Sequence, residues 1–448
     1  MTQPAESFDS RSSGTTARVA DRSTTRREYA KVAFASAIGT MVEYYDFTLY
    51  ATATAIVFNK IFFPADNALI STIAAFATFF IGYCARPLGG ILFGHFGDKV
   101  GRRNMLLLTV LIMGIGTFLI GLMPTYAQIG VWAPILLLVL RLLQGIGIGG
   151  EYGGGMVMAI EHAPPRMRAF CSSVVHIGLP AGFLLPIALM GGLSAGLSEE
   201  QFLSWGWRLP FIGSIVLVGL GLFIRFRIDE SPDFEAAARE KAPPKLPIAE
   251  AFRDHWGRIL LGIGAKVAES GLFNIYAVFA ITYAVTVHHL PKSLVLNGIL
   301  VGCLVECVTL PIFGLCADKF GRKPVYVFGA LLQAAFAAPF FWMMDAATAP
   351  SIWLAVAIGL GLGHGAMFGA QGAFFSELFP ARVRYTGLSL VQQIGPILGG
   401  GLSPLIATAL MMQFNSYWPI AAYMAAIAVL SAVCALALPE TKPAADRR

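Results

Sequence analysis

Ten ionisable side chains stand inside long apolar stretches of this 448-residue chain: Glu43, Asp46, Arg86, Arg141, Glu151, His176, Lys266, Glu269, Glu306 and His364. A charge carried to the centre of a bilayer costs about 2.5–3.5 kcal/mol on insertion scales, so such groups need partners and tend to serve ions, protons or substrates. Glu43, Asp46 and Tyr50 follow at intervals of three and four and share one helix face. A carboxylate that leaves water holds its proton more firmly, so it can load a proton on one side of a membrane and release it on the other. Asp46 is the first choice for that role and Glu43 the second. A static ion pair between Asp46 and Arg141 is the plainer alternative. The two agree if Arg141 approaches Asp46 in one state and leaves it in another.

The cations offer the complementary chemistry. Arg86 lies about two helical turns before a basic turn; its guanidinium can take a carboxylate through two parallel hydrogen bonds, or can hold its helix to a neighbour. Lys266 and Glu269 stand at i and i+3, either neutralising each other or keeping a cation in reserve. Three buried cations fit an anionic small molecule. Glu151 lies in Gly149-Gly150-Glu151-Tyr152-Gly153-Gly154, where glycines permit close helix contact and local unwinding. It lines a cavity or bonds across a seam. Tyr45, Tyr50, Tyr152 and Tyr276 are candidate cavity contacts. His176 and His364, each flanked by apolar residues, read as packed, hydrogen-bonded histidines. The six cysteines include no C-x-x-C pair, which gives no sign of a metal site or disulfide, and Cys303 and Cys307, one turn apart, read as packing.

Twelve apolar runs carry these residues, near 32–58, 68–94, 104–123, 132–160, 168–193, 207–227, 257–287, 293–316, 324–344, 350–376, 385–412 and 416–438. A helix needs about 20 apolar residues to cross hydrocarbon. Hydrophobic residues make up 56% of the chain and charged ones 13%, against roughly a quarter charged in soluble proteins. The short loops leave no soluble domain of useful size. The net charge of +6 invites a nucleic-acid reading, but the distribution of the charges rejects it. Apart from Arg86, Arg141 and Lys266 within the runs, and Lys60, Arg208 and Lys292 on the opposite side, every Lys and Arg falls on one side of the twelve-span layout. Basic loops stay cytoplasmic, which places both termini in the cytoplasm with anionic lipid nearby. The first 30 residues lack the apolar core and cleavage site of a signal peptide, so the first span is expected to act as an uncleaved targeting signal.

The chain repeats itself. Gly94-x-x-x-Asp98-x-x-Gly101-Arg102-Arg103 returns as Gly314-x-x-x-Asp318-x-x-Gly321-Arg322-Lys323, at one interval of 220 positions. Glu161-x-x-Pro164-x-Arg166-x-Arg168 returns as Glu377-x-x-Pro380-x-Arg382-x-Arg384, and Glu230 and Glu440 close their halves alike. An even number of spans per repeat gives parallel lobes related by an axis along the membrane normal. The expected organisation is a tail over 1–30, a six-helix lobe over 31–227, a Pro-rich charged linker over 228–255, a second lobe over 256–438 and a tail over 439–448. The repeated Asp, Glu and Arg positions suggest a charge latch at the cytoplasmic edge.

The doubled motif, with Arg141-Leu142-Leu143-Gln144-Gly145, resembles the signatures of the major facilitator superfamily over residues from about 30 to 440. The resemblance implies an all-α fold of twelve transmembrane helices in two parallel six-helix lobes. Gly39-Thr40-Met41-Val42-Glu43-Tyr44-Tyr45-Asp46-Phe47, Arg86-Pro87-Leu88-Gly89-Gly90, the Glu151 motif, Trp207-Arg208-Leu209-Pro210-Phe211 and Asp229-Glu230-Ser231-Pro232-Asp233-Phe234 are similar to the metabolite:proton symporter family. That likeness implies a monomer in the bacterial cytoplasmic (inner) membrane that takes up a small organic anion with protons and uses no cofactor beyond the proton gradient. Gly264-Ala265-Lys266-Val267-Ala268-Glu269 looks more like the shikimate branch than the proline and betaine branch, although that branch usually shows Arg where this chain has Lys266.

Four rival readings are weaker. Gly145-x-Gly147-x-x-Gly150 fits a dinucleotide fingerprint but lacks the strand and α/β surroundings it requires. No nucleophile–base spacing supports an enzyme, and a channel would not need the repeat. The G-P-x-x-G-G kink of drug antiporters is absent from the fifth run, where the chain has Gly178-Leu179-Pro180-Ala181-Gly182, and appears only in the eleventh as Gly395-Pro396-Ile397-Leu398-Gly399-Gly400.

Overall fold

Within the bilayer every backbone amide must be satisfied inside its own segment, so an apolar run has helix as its only open structure. A computed structural model bears this out. It describes residues 37, 40–41, 44–64, 67–100, 102–149, 156, 160, 163–226 and 247–442. The helices are α1 (44–61), α2 (Ala68–Val100), α3 (Arg102–Leu122), α4 (Trp132–Gly149), α5 (Arg168–Gly196), α6 (Arg208–Phe226), α7 (256–287), α8 (Lys292–Phe320), α9 (Arg322–Asp345), α10 (Ala349–Glu377), α11 (381–414) and α12 (Trp418–Ala437). Among the described residues ten segments are long and apolar enough to cross a membrane; Leu107–Leu122 is a shorter apolar helix, and α1 completes the twelve. No strand occurs among the described residues.

Two boundaries differ from the sequence expectation. The second copy of the repeated motif is not a loop: α8 runs on through Asp318 to Phe320, since nothing in Gly314–Phe320 breaks a helix, and only Gly321 (φ 113°) leaves it. The end of the expected linker is also helical. A helix starting at Pro247 joins α7 across a break at His255 (φ −132°, ψ 15°).

Close packing of α2 on α4 explains the false nucleotide fingerprint. A Cβ on Gly145 would strike the Gly82 carbonyl, and one on Gly149 the Arg86 carbonyl. These glycines set helix spacing. Between the two halves α5 lies against α8 and α10, and α2 against α11. Trp207, fully buried, packs on Phe58, Phe62 and Phe211, while Arg208 donates to the carbonyls of Gly121 (2.9 Å) and Met123 (2.7 Å). The Trp207–Phe211 motif thus ties α6 to α1 and to the end of α3.

Candidate functional site

The ionisable residues of the second half form one line across three helices. On α7, Lys266 Nζ lies 2.5 Å from Glu269 Oε2 and donates to Gln371 Oε1 of α10 at 3.2 Å. Glu269 Oε1 stands 3.3 Å from His364 Nε2, and His364 Nδ1 bonds to Glu306 Oε1 of α8. All four groups are buried. His364 reaches both carboxylates because it ends a π-helical segment, Ala357–His364, whose glycines bring α10 close to its neighbours. Gly359 meets the Tyr276 ring of α7, and Gly361 meets Val305 of α8. Across the seam, His176 of α5 donates from Nδ1 to the Phe368 carbonyl (2.8 Å) and stacks on the Phe368 ring at 3.9 Å; His364 stacks on the same ring at 5.0 Å. His176 is the packed, hydrogen-bonded histidine expected of it. His364 is more than that.

In the first half Arg86 is buried, its guanidinium 5.4 Å from the Tyr83 ring centre and within electrostatic reach of Lys266. Tyr83 accepts from Asn274 Nδ2 of α7 at 3.2 Å. Arg141 lies among Tyr50 (4.1 Å), Phe47 (5.1 Å) and Phe79 (5.3 Å), a cation–π cage. The direct Asp46–Arg141 ion pair is not formed in this state. Thr117 lies near the buried Asp46 carboxylate; its hydroxyl donates to the Met113 carbonyl (3.0 Å) and accepts from Gln144 Nε2 (2.8 Å), and Gln144 Oε1 stands 3.4 Å from Arg141 Nη1. Thr117 and Gln144 stand between Asp46 and Arg141. Buried donors without an acceptor include Arg86 Nε, Arg141 Nε and Nη2, and Gln371 Nε2.

Two expected contacts sit elsewhere. Tyr45 donates to the Pro210 carbonyl of α6 at 2.9 Å, because its place beside Asp46 turns it to another helix face. Tyr276 packs on Phe340 of α9 inside the second half. Tyr50 bonds Thr78 at 2.7 Å beneath Arg141. Glu43, Glu151 and Tyr152 lie outside the described residues. Sequence reasoning counted Glu306 among the buried charges but gave it no role, and it missed the partnership of His364. The available signal was a lone glutamate and a lone histidine in apolar helices, each requiring a partner, with the histidine in a glycine ladder.

At the end carrying the repeated motif, Asp318 accepts from the backbone N–H groups of Ala169 (3.1 Å) and Phe170 (2.8 Å), capping α5 from across the seam. Arg322 lies 3.2 Å from Asp318 and 3.3 Å from Glu377, and Arg168 lies 3.6 Å from Glu377. Arg384 stands half-buried in the first turn of α11. Lys323 departs from the expected latch: its ammonium donates to the Leu436 (2.5 Å) and Leu438 (2.8 Å) carbonyls at the end of α12, because the position after Arg322 projects to another face. Glu440 accepts from the N–H groups of Arg322 and Lys323, both at 3.1 Å, and so caps α9. Glu161 and the side chains of Asp98, Arg102 and Arg103 lie outside the described residues.

Asp318→Asn weakens a charged cap worth about 1 kcal/mol. Half-buried Cys171 on α5 feels the Asp318 charge and serves as the reporter. Its labelling by a polar maleimide is expected to quicken about fivefold, the population shift that 1 kcal/mol brings. Unchanged labelling would remove Asp318 from the latch. At the opposite end Glu199 pairs with Lys60 and, at 3.7 Å, with Lys292 beside a cavity of about 370 Å³.

Among the described residues, twelve long helices in two packed halves, with buried charges at and beside the seam, define a membrane-spanning transporter. The model of the Major Facilitator Superfamily matches residues 36–395 and 303–448, and the chain belongs to that superfamily. It is 42% identical to the shikimate transporter of Escherichia coli (strain K12) over 92% of its length and 95% of that protein. It is 41% identical to the inner membrane metabolite transport protein YhjE of the same organism, over 92% and 94%. It is 33% identical to the proline/betaine transporter of Salmonella typhimurium, over 92% and 83%. The partially occluded inward-open structure of the xylose transporter XylE from E. coli shares the fold, with a TM-score of 0.71 at 17% identity over 93% of this chain and 99% of that one. These relatives are transporters, and the chain is a transporter rather than an enzyme.

Proposed function

We propose that this protein imports a small organic acid together with protons across the bacterial cytoplasmic membrane by alternating access, as a monomer with both termini in the cytoplasm. The substrate class is a shikimate-like acid, oxoacid, di- or tricarboxylate, or aromatic acid. The observation that carries the reading is the juxtaposition of Arg86 and Lys266 from opposite halves, with donors on Arg86, Arg141 and Gln371 left without acceptors. Buried donors without acceptors are costly, and a carboxylate supplies what they lack. The shikimate transporter likeness supports the same class. Asp46, with Glu43 beside it, is the proton site of the first half, and Arg141 is its electrostatic partner through Gln144 and Thr117. Residues 31–227 and 256–438 act as the rocking lobes joined by 228–255. Asp318, Arg322, Arg168, Glu377 and Arg384 form the cytoplasmic gate; the repeat extends that role to Asp98, Arg102, Arg103 and Glu161.

A zwitterionic osmolyte is the second reading, favoured by the proline/betaine relative. Buried Glu269 and Glu306 would suit a quaternary ammonium, but both are already engaged by Lys266 and His364. A thermal-shift panel of shikimate, dicarboxylates, aromatic acids, proline and betaine on the purified protein separates the two. Stabilisation of about 2.7 kcal/mol is expected from a binder at a hundred times its Kd. Stabilisation by proline or betaine and by none of the acids would overturn the organic-acid reading.

A further inference from the structure

We propose that Glu269, His364 and Glu306 form a second proton site, in the second half of the molecule, which loads together with the substrate anion by releasing Lys266. The inference rests on the organic-acid reading above and extends it to a site that reading does not use.

The geometry sets a competition. Lys266 has one buried cationic head, and Glu269 holds it at 2.5 Å. A substrate carboxylate can recruit Lys266 only by displacing that carboxylate, and Glu269, then left to share His364 with Glu306, would be a buried charge without full compensation. A proton on Glu269 removes the conflict: the carboxyl turns neutral, its attraction for Lys266 falls, and the ammonium turns to the substrate. His364 is built to deliver that proton. Its two ring nitrogens face two different carboxylates, Glu269 through Nε2 and Glu306 through Nδ1. A proton accepted at one nitrogen is matched by one given up at the other, so the ring passes charge between Glu306 and Glu269 without turning. Charge balance favours the joint step. With His364 as imidazolium, Lys266 and His364 offset Glu269 and Glu306. One proton plus one substrate carboxylate leaves that balance unchanged, whereas the anion alone must draw on the Arg86 charge beside Lys266 to be offset.

Other titratable groups face this line from each packed element. His176 stands across the seam on α5, Arg86 and Tyr83 on α2, and Tyr326 on α9. Cys303 and Cys307 flank Glu306 on α8. His176 is tied to the Phe368 carbonyl. Neither cysteine bridges two carboxylates as His364 does.

The test is calorimetric titration of the full-length purified protein with shikimate in buffers of differing ionisation enthalpy, which counts the protons taken up on binding. The wild-type protein is expected to take up protons, and its apparent affinity to rise as pH falls, by up to about tenfold per unit for each linked proton. Glu269→Gln is expected to bind with a shallower pH slope and about one proton fewer. Glu306→Gln, which keeps the shape and tests the far end of the relay, is expected to reduce uptake in the same way. A protein that binds shikimate with no proton uptake, or variants that match the wild-type count and slope, would overturn the second site and leave the organic-acid reading standing. Binding of none of the panel acids would overturn both.

Discussion

Asp46→Asn is expected to lower the steady-state accumulation of substrate in proteoliposomes by about tenfold at a gradient of one pH unit, the factor lost with one coupled proton. Counterflow, in which labelled substrate exchanges with unlabelled substrate without a gradient, is expected to persist. The reason lies in the surroundings of Asp46. Its carboxylate is buried near Thr117, and Thr117 and Gln144 stand between it and Arg141. Asparagine keeps the shape but cannot release a proton. The seam and the Arg141 cage remain, so the lobes still exchange substrate. Accumulation equal to the wild type would remove Asp46 from coupling; loss of counterflow as well would make its role structural.

Lys266→Met carries the second large effect. Breaking a buried ion pair leaves the other charge uncompensated, a cost of about 3 kcal/mol or more. Lys266 and Glu269 are both buried, so solvent screening offers little relief. The single variant is expected to unfold at lower temperature and to bind no organic acid. Adding Glu269→Gln removes the stranded charge and is expected to restore most of the stability without restoring binding. That separation distinguishes a substrate cation from a structural one. If the double variant binds the acid as the wild type does, Lys266 serves only to hold Glu269.

The fold was legible because lipid permits few answers: among the described residues helix occupies part or all of each of the twelve apolar runs, and the motif interval set the two halves. The burial of Arg86, Arg141 and Lys266 was legible for the same reason, since each stands inside an apolar run. Contact details were not. Glu306 and His364 are 58 positions apart on separate helices, and their bond depends on a π-helical turn that no periodicity announces. Lys323 follows Arg322 in the repeat, yet one residue of rotation carries it to the end of α12. Tyr45 adjoins Asp46, and the same rotation turns it to Pro210. Glu440 was visible as a repeated position, but its cap on α9 appears only once the chain end is folded back.

Proton-coupled uptake of an organic acid is tested most directly by following labelled shikimate in proteoliposomes of the wild-type protein, with the membrane potential clamped and an inward proton gradient of one pH unit imposed. The expected result is accumulation at least about tenfold above the external concentration, abolished by a protonophore and absent without the gradient. Uptake that stops at equal concentrations whatever the gradient would contradict the account.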